Sequence, residues 1–124
     1  MPTGYNQTIM LTQYHIEIMK TALSDVFSPR ALAKLIKANL DLDHLHGQFG
    51  HDEYHFDNNA FEKTCAFLET QRALTISSLE ASDALAAWSA FGRLTHTVQD
   101  FYSHSNYITM WLSRFNGNAP PPPL

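Results

Sequence analysis

The sequence predicts an all-α domain, because apolar residues recur at helical spacing in four segments and no segment alternates long enough for a strand. One domain is expected, since 124 residues fall within the usual size of a single domain. An apolar content of 44% with only 16% charged residues is typical of a chain that folds around a core. We therefore expect a helical bundle of about four helices.

The first two helices are expected over the amino-terminal third of the chain. Apolar residues fall on one helical face over 9–27, and Thr12 can cap the start of that helix. Ser28 followed by Pro29 predicts the start of the second helix, which should end near Asp43. Residues 44–58 are rich in glycine, histidine and acidic side chains without a sustained period, which predicts a loop.

The third helix is expected to follow a cap at Asn58 or Asn59. The fourth should run from near Ser82 to about Ser113, with a bend near Gly92. The buried face of the third helix is predicted to consist of Phe61, Cys65, Phe67, Leu68, Leu74 and Leu79. These expectations give three regions, namely a flexible lead-in over 1–8, a helical metal-binding domain over 9–115 and a proline-rich tail over 116–124.

Charge and composition exclude several classes of partner. A net charge of -4 with eight Lys and Arg gives no basic surface for duplex nucleic acid. Neither a signal peptide nor a membrane-spanning run is visible, so we expect a soluble protein, cytoplasmic as written or secreted if a leader was removed. A single cysteine, Cys65, excludes an internal disulfide and is interpreted as a core residue.

Three residues of the fourth predicted helix indicate a metal site. His96, Asp100 and His104 follow one another at four-residue spacing, which places them on one helical face. The two histidines are about 12 Å apart along the helix, but Asp100 lies within reach of both. This geometry favours a carboxylate that bridges two ions about 3.5–4 Å apart. The alternative is an amphipathic helix whose polar face meets solvent.

The loop over 44–58 supplies further candidates. His51, Asp52, His55 and Asp57 are residue types that bind metals, whereas His44, His46 and Glu53 are better explained as solvated loop residues. His15 stands alone on the first helix, where a single histidine is more often a packed residue than a ligand.

Three stretches resemble one known family. Residues 92–107, GRLTHTVQDFYSHSNY, resemble the signature of the heterokaryon-incompatibility C (Het-C) proteins, which are distant kin of zinc-dependent phospholipase C and the zinc single-strand nucleases. His55-Phe56-Asp57-Asn58 resembles the HFDN element of that family, and 15–23 resembles its amino-terminal helix. The resemblance implies the all-α fold of zinc-dependent phospholipase C with a cluster of two or three zinc ions.

The resemblance also implies a role for each ligand. It assigns His55, His96 and Asp100 to one zinc, His15 and Asp100 to another, and His104 to the remaining site. Either Asp43 or Asp52 would supply a further acidic ligand, and spacing does not decide between them. Iron and manganese remain alternatives to zinc, although mixed histidine and carboxylate sites bind zinc more tightly.

The activity that the resemblance implies is hydrolysis of a small-molecule or lipid phosphoester by metal-activated water, with Asp52 or Asp57 as general base. Two alternatives stay open. The first is a metal-stabilised structural or interaction domain, because no His-xxx-Glu pair follows His104 to complete a third site. The second is an HD-type phosphohydrolase that uses the adjacent pair His51 and Asp52. The sequence predicts no oligomeric state.

Overall fold

The computed structural model describes residues 10–44 and 50–115. These residues form six helices, and no strand occurs among them, so the predicted all-α class is confirmed. The helices are α1 (Thr12–Leu23), α2 (Pro29–Asp41), α3 (Asp52–His55), α4 (Phe61–Glu80), α5 (Ala84–His104) and α6 (Tyr107–Phe115). The predicted lead-in over 1–8 and the proline-rich tail over 116–124 lie outside the described residues.

Helix α5 is the centre of the bundle. It packs along α2 on one side and α4 on the other, while α1 packs on α2 and the short α3 contacts both α4 and α5. The apolar core is small and contains four alanines, and it consists of Met19, Ala31, Leu32, Leu35, Ala38, Leu42, Phe56, Ala87 and Ala90. Polar side chains are buried beside it, and these are His15, Asn39, His55, Thr64, Gln71, Ser78, His96, Thr97, Gln99 and Asp100. Hydrogen bonding therefore has to satisfy much of the interior.

The helix starts follow local sequence. The Ser28 hydroxyl accepts a hydrogen bond from the Ala31 N–H at 3.2 Å, and Pro29 occupies the first turn of α2, as predicted. The Asp83 carboxylate caps α5 in the same way by accepting from the Ala86 N–H at 3.1 Å. Thr12, which we expected to cap α1, lies inside that helix instead, because Leu11 occupies the capping position.

Two predictions about helix number are wrong. The single helix expected from near Ser82 to Ser113 is divided into α5 and α6, because Ser105 adopts an extended conformation. The Ser105 hydroxyl donates to the Phe101 carbonyl and accepts from the Tyr107 N–H at 3.3 Å, which replaces helical backbone bonds there. In addition, the segment predicted as a loop over 44–58 contains α3.

The buried face predicted for the third helix is also wrong. The residues of α4 that turn inward are Thr64, Gln71 and Ser78, spaced seven apart, and Gln71 accepts a hydrogen bond from Arg93 Nε of α5 at 2.8 Å. The residues predicted to be buried are exposed at Phe61, Cys65, Leu74 and Leu79 and half-buried at Phe67 and Leu68. Thr64, Gln71 and Ser78 therefore occupy the buried positions of α4 that the apolar pattern had assigned to large apolar side chains.

The start of α4 differs from its prediction as well. The helix begins after Ala60 without a side-chain cap. Asn58 and Asn59 do not cap it, since both adopt left-handed backbone conformations with φ of 51° and 58°. Asparagine tolerates this conformation better than most residues, so the pair forms the turn that leads into α4.

Within residues 10–44 and 50–115, no helix combines the length and the apolar character that crossing a membrane requires.

Gly92 allows α2 and α5 to approach closely. A Cβ atom at this position would lie 2.5 Å from the Leu35 carbonyl oxygen and 2.7 Å from Ala38 Cβ. Helix α5 continues through Gly92, where we expected a bend. The glycine therefore serves the packing of two helices rather than a kink.

We expect Gly92→Ala to lower the free energy of unfolding by about 1–3 kcal/mol, because overpacking outweighs the helix propensity that alanine adds. Urea denaturation followed by circular dichroism measures the change. The control is Ser77→Ala on the exposed side of α4, which should shift stability by less than about 0.5 kcal/mol. A Gly92→Ala protein as stable as the unsubstituted chain would contradict this helix crossing.

Candidate metal centre

Four side chains from three segments converge in the interior, and we call them the four-residue site. Asp43 follows α2, His55 ends α3, and His96 and Asp100 lie one turn apart on α5. Asp100 Oδ2 is 2.8 Å from His55 Nδ1 and 3.0 Å from His96 Nε2. Asp43 Oδ1 is 3.2 Å from His96 Nε2 and 3.8 Å from His55 Nδ1, and the two imidazole nitrogens are 3.2 Å apart.

These distances match the size of a tetrahedral metal site. Ligand atoms at zinc bond lengths of about 2.0–2.1 Å stand about 3.3 Å from one another around a tetrahedral ion. Five of the six separations among these four atoms lie between 2.8 and 3.8 Å, and all six lie within 4.8 Å. Two imidazole nitrogens and two carboxylate oxygens form a donor set that suits zinc.

Local backbone structure positions the ligands. Phe56 ends α3 with a left-handed φ of 53°, and its side chain is buried against Phe101 of α5. This conformation is unfavourable for phenylalanine by about 1 kcal/mol or more, so surrounding packing must hold it. As a result, His55 is directed into the bundle while the first residues of α3 remain nearer solvent.

Three histidines are fixed through their Nδ1 atoms. His96 Nδ1 donates to Asn39 Oδ1 at 3.2 Å, and His15 Nδ1 donates to Gln99 Oε1. His104 Nδ1 donates to the His55 carbonyl oxygen at 2.7 Å and contacts Asp57 Oδ1 at 2.8 Å. In the neutral form of each ring, a proton held at Nδ1 would leave the Nε2 lone pair available to an ion. All three Nε2 atoms face Asp100.

A second group of atoms lies on the other side of the two carboxylates. His15 Nε2 is 3.3 Å from Asp100 Oδ1 and 4.0 Å from Asp43 Oδ2. His104 Nε2 is 3.9 Å from Asp100 Oδ1 and, within the described part of the chain, is buried without a hydrogen-bond partner. Asp100 and Asp43 therefore each direct one oxygen to the four-residue site and the other to this second group.

Burial and hydrogen bonds within the site act in opposite directions on the pKa values of its side chains. Burial alone would lower the pKa of His96, but hydrogen bonds to Asp100 and Asp43 outweigh it and raise that pKa to about 9. Burial alone would raise the pKa of Asp100, but hydrogen bonds from His15, His55 and His96 hold it far below its ordinary value. Burial raises the pKa of Asp57 against the opposing effect of His104. Two carboxylates and an imidazolium thus face one another where an ion could replace the proton.

The structure brings together most of the predicted ligands. These are His15, Asp43, His55, His96, Asp100 and His104, and Asp43 rather than Asp52 supplies the second carboxylate. Asp57, predicted as a general base, lies at the edge of this cluster against His104.

His51 and Asp52 are not brought to the site. His51 stacks on Tyr54 and its Nδ1 lies 3.1 Å from Glu53 Oε1, while Asp52 is exposed and accepts from Asn58 Nδ2 at 3.1 Å. They lie at the exposed start of α3, about one turn before His55, which is the residue of this helix that points into the bundle. This placement keeps Asp52 apart from the buried cluster, and it does the same for the pair on which the HD-type alternative rests.

Asn39 is a buried neighbour of the cluster that the sequence did not lead us to predict. It is fully buried, and its amide donates to Gln99 Oε1 at 3.0 Å and Thr95 Oγ1 at 3.1 Å while its oxygen accepts from His96. The signal in the sequence is a lone asparagine in the apolar stripe of α2, between Ala38 and Leu42. A buried amide inside a helix needs partners on a neighbouring element.

The fold and the cluster together define an all-helical domain built around buried histidine and aspartate side chains. The family model for the VWA7 N-terminal domain matches residues 8–118, and the chain belongs to this family. Von Willebrand factor A domain-containing protein 7 of Rattus norvegicus is 30% identical over 80 residues, which are 64% of this chain. The chain spans 9% of the length of that protein. No solved structure matches the chain.

These comparisons overturn the resemblance drawn from the sequence. The run over 92–107 lies within the range matched by the VWA7 N-terminal domain, and no match to a Het-C or phospholipase C family accompanies it. The assignment to the Het-C-like family is wrong, and so is the classification as a zinc hydrolase of phospholipase C type that depended on it. The buried cluster has to be interpreted from its own geometry.

We expect Asn39→Ala to lower the free energy of unfolding by about 2–3 kcal/mol, because it leaves the buried Nδ1 of His96 without its partner and removes one of the two donors to Gln99 Oε1. Urea denaturation of the chelator-treated protein measures this loss apart from any metal effect. Thr70→Ala, on the exposed side of α4, is the control and should be close to neutral. Equal stability of the two variants would contradict the role of Asn39.

Proposed function

We propose that this domain binds a divalent metal ion, zinc by preference, at the four-residue site, and that the ion has a structural role. The observation that carries the proposal is the grouping of two imidazole nitrogens and two carboxylate oxygens within 4.8 Å of one another, with five of their six separations at 2.8–3.8 Å. The ion would join the turn after α2, the end of α3 and the middle of α5.

The orientation of the imidazole rings favours a metal site over a cluster of side chains that only form hydrogen bonds with one another. His15, His96 and His104 each donate outward through Nδ1, which is how proteins commonly orient metal-binding histidines. A cluster that served hydrogen bonding alone would satisfy its buried atoms, yet His104 Nε2 has no partner among the described residues.

A closed coordination shell and a small apolar core support the structural role. The four residues would supply four protein ligands to one ion, and four protein ligands are typical of structural rather than catalytic zinc. Four of the nine buried apolar residues are alanines, whose side chains bury little apolar area. The apolar core therefore contributes less free energy of folding per residue than a core of larger side chains would. Metal binding energy would therefore form a substantial part of the folding energy.

The second group of atoms supports a second, weaker ion. His15 Nε2 lies 3.3 Å from Asp100 Oδ1 and 4.0 Å from Asp43 Oδ2, and His104 Nε2 lies 3.9 Å from the same Asp100 oxygen. An ion there would share both carboxylates with the first ion. The ligand atoms of this second group are further apart than those of the four-residue site, and the Asp43 side chain is partly exposed to solvent. An ion there should therefore bind more weakly than an ion in the four-residue site.

Phosphoester hydrolysis stays a prediction. Two bridged ions can activate water, and of the two predicted bases only Asp57 lies beside the cluster. The complete shell of the four-residue site leaves no open position for water at the first ion, which favours the structural role. A lipid or small-molecule phosphoester as substrate is likewise a prediction.

We expect zinc to raise the melting temperature of chelator-treated protein and to remain bound after dialysis. A ligand at 100 times its dissociation constant stabilises the native state by about 2.7 kcal/mol. Asp43→Asn should abolish most of this gain, because it removes a charged ligand while preserving side-chain shape. Differential scanning calorimetry measures the shift, and elemental mass spectrometry gives the metal-to-protein ratio.

The matched control for this substitution is Asp41→Asn. Asp41 lies two residues away, pairs with Lys37 at 2.7 Å and is not part of the cluster. Full zinc stabilisation is expected to persist in Asp41→Asn. Wild-type protein that retains no metal and shows no thermal shift would exclude the proposal, and equal losses in both variants would indicate a general charge effect.

His104→Asn should reduce the zinc stoichiometry from two to one. The asparagine amide can replace His104 Nδ1 as donor to the His55 carbonyl, but it supplies no atom at the position of Nε2. Isothermal titration calorimetry with zinc measures the number of sites. A single site in the wild-type protein, unchanged by His104→Asn, would limit the proposal to the four-residue site.

A further inference from the structure

Gln99 of α5 is the buried residue that joins α1 to the cluster. Only 7% of it is exposed, and its side chain bonds to His15 twice. The His15 ring donates from Nδ1 to Gln99 Oε1, and Gln99 Nε2 donates to the His15 carbonyl oxygen at 3.4 Å. Asn39 Nδ2 of α2 also donates to Gln99 Oε1, at 3.0 Å. The Gln99 side chain is therefore held by residues of two neighbouring helices.

Two backbone carbonyls fix the direction of the hydrogen bonds in this group, because a carbonyl oxygen can only accept. The Thr95 hydroxyl donates to the Gly92 carbonyl at 2.7 Å, so its oxygen is an acceptor for Asn39 Nδ2 at 3.1 Å. At the other end, the His15 carbonyl requires Nε2 of Gln99 as its donor. If either amide rotated by half a turn, two oxygens would face each other. Gln99 Oε1 is thereby fixed as the acceptor for His15 Nδ1.

This fixed direction decides which nitrogen of His15 is available to an ion. When the neutral ring holds its proton at Nδ1, its lone pair is at Nε2. Nε2 lies 3.3 Å from Asp100 Oδ1 and 4.0 Å from Asp43 Oδ2. A lone pair and two carboxylates repel one another unless a positive charge lies among them, and a bound ion supplies that charge. A proton at Nε2 alone would instead leave His15 Nδ1 and Gln99 Oε1 as two buried acceptors in contact.

Packing of α1 holds the His15 ring only in part. The buried residues of α1 are His15 and Met19, whereas Tyr14 and Ile18 are 48% and 44% exposed. One face of the His15 ring stacks on His96, with the ring centroids 4.2 Å apart. Stacking sets the plane of the ring but does not decide which ring nitrogen carries the proton. The hydrogen bond to Gln99 makes that choice.

We propose that Gln99 is a positioning residue of the metal centre, which orients His15 so that Nε2 is a ligand of the second ion. This role rests on the proposed function, and it names the residue on which the strength of the second site depends. Removal of the hydrogen-bond partner behind a metal-binding histidine commonly weakens metal binding about 10–100-fold. The four-residue site should change little, because His55 and His96 bond to Asp100 and Asn39 rather than to Gln99.

Nuclear magnetic resonance of the isotope-labelled chain tests the orientation of His15 without a metal. Two-bond hydrogen–nitrogen correlations show which ring nitrogen carries a proton. In the chelator-treated chain we expect a proton at Nδ1 of His15. Gln99→Met should move it to Nε2, because a thioether is a weak acceptor, and Gln99→Glu should return it to Nδ1. A His15 ring without a proton at Nδ1 in the unsubstituted chain would overturn the proposal even if neither variant folds.

Isothermal titration calorimetry with zinc tests the role in metal binding. Gln99→Met should weaken the second site at least about tenfold and leave the first site nearly unchanged. Gln71→Met is the matched control, because Gln71 is also 7% exposed but bonds to Arg93 at 2.8 Å rather than to a histidine. It should leave both sites unchanged. Equal weakening of the second site by the two variants would overturn the proposal, since a general loss of packing would then explain it.

The titration also separates this proposal from the proposed function. Two zinc sites of which the second is unaffected by Gln99→Met would overturn the role of Gln99 alone. A single site in the unsubstituted chain would likewise overturn this role and retain the four-residue site. An unsubstituted chain that binds no zinc would overturn the metal centre itself, and the role of Gln99 with it. Circular dichroism of each variant shows whether the helical fold is retained.

Discussion

The buried carboxylate of Asp100 is the constraint on which the rest of this structure depends. Only 2% of its side chain is exposed, and an uncompensated charge at such a position would cost several kcal/mol. His15 of α1, His55 of α3 and His96 of α5 compensate it directly. Helices α1, α3 and α5 thus each place an imidazole against one carboxylate, which explains why this part of the interior is polar.

The arrangement of α2 against α5 follows from the same requirement. Close approach at Gly92 brings Asn39 of α2 beside the helix that carries His96 and Asp100. Asn39 then fixes His96 and, through Gln99, is linked to His15. The orientation of His96 therefore depends on how closely α2 and α5 pack. If the two helices were further apart, the side-chain amide of Asn39 would no longer reach the His96 ring.

Sequence patterns could predict the part of the site that lies on one helix. His96, Asp100 and His104 share a face because four-residue spacing fixes it. Asp43 could not be chosen over Asp52, because that choice depends on where the chain turns after α2 and where α3 begins. Asn39 was missed because its partners are more than 50 residues away. The buried face of α4 was predicted wrongly because apolar periodicity assumes a large apolar side chain at each buried position, whereas Thr64, Gln71 and Ser78 are the buried residues of this helix.

The break at Ser105 has a mechanical consequence for the cluster. Helix α6 has no buried residue, and two residues separate it from His104, the last residue of α5. The His104 ring is in turn held against the His55 carbonyl and points toward Asp100. Helix α6 is thereby attached beside the most highly charged part of the described interior, and Tyr107 at its start packs on Phe101 and Tyr102 of α5, so a displacement of α6 would act on these rings and on His104 together.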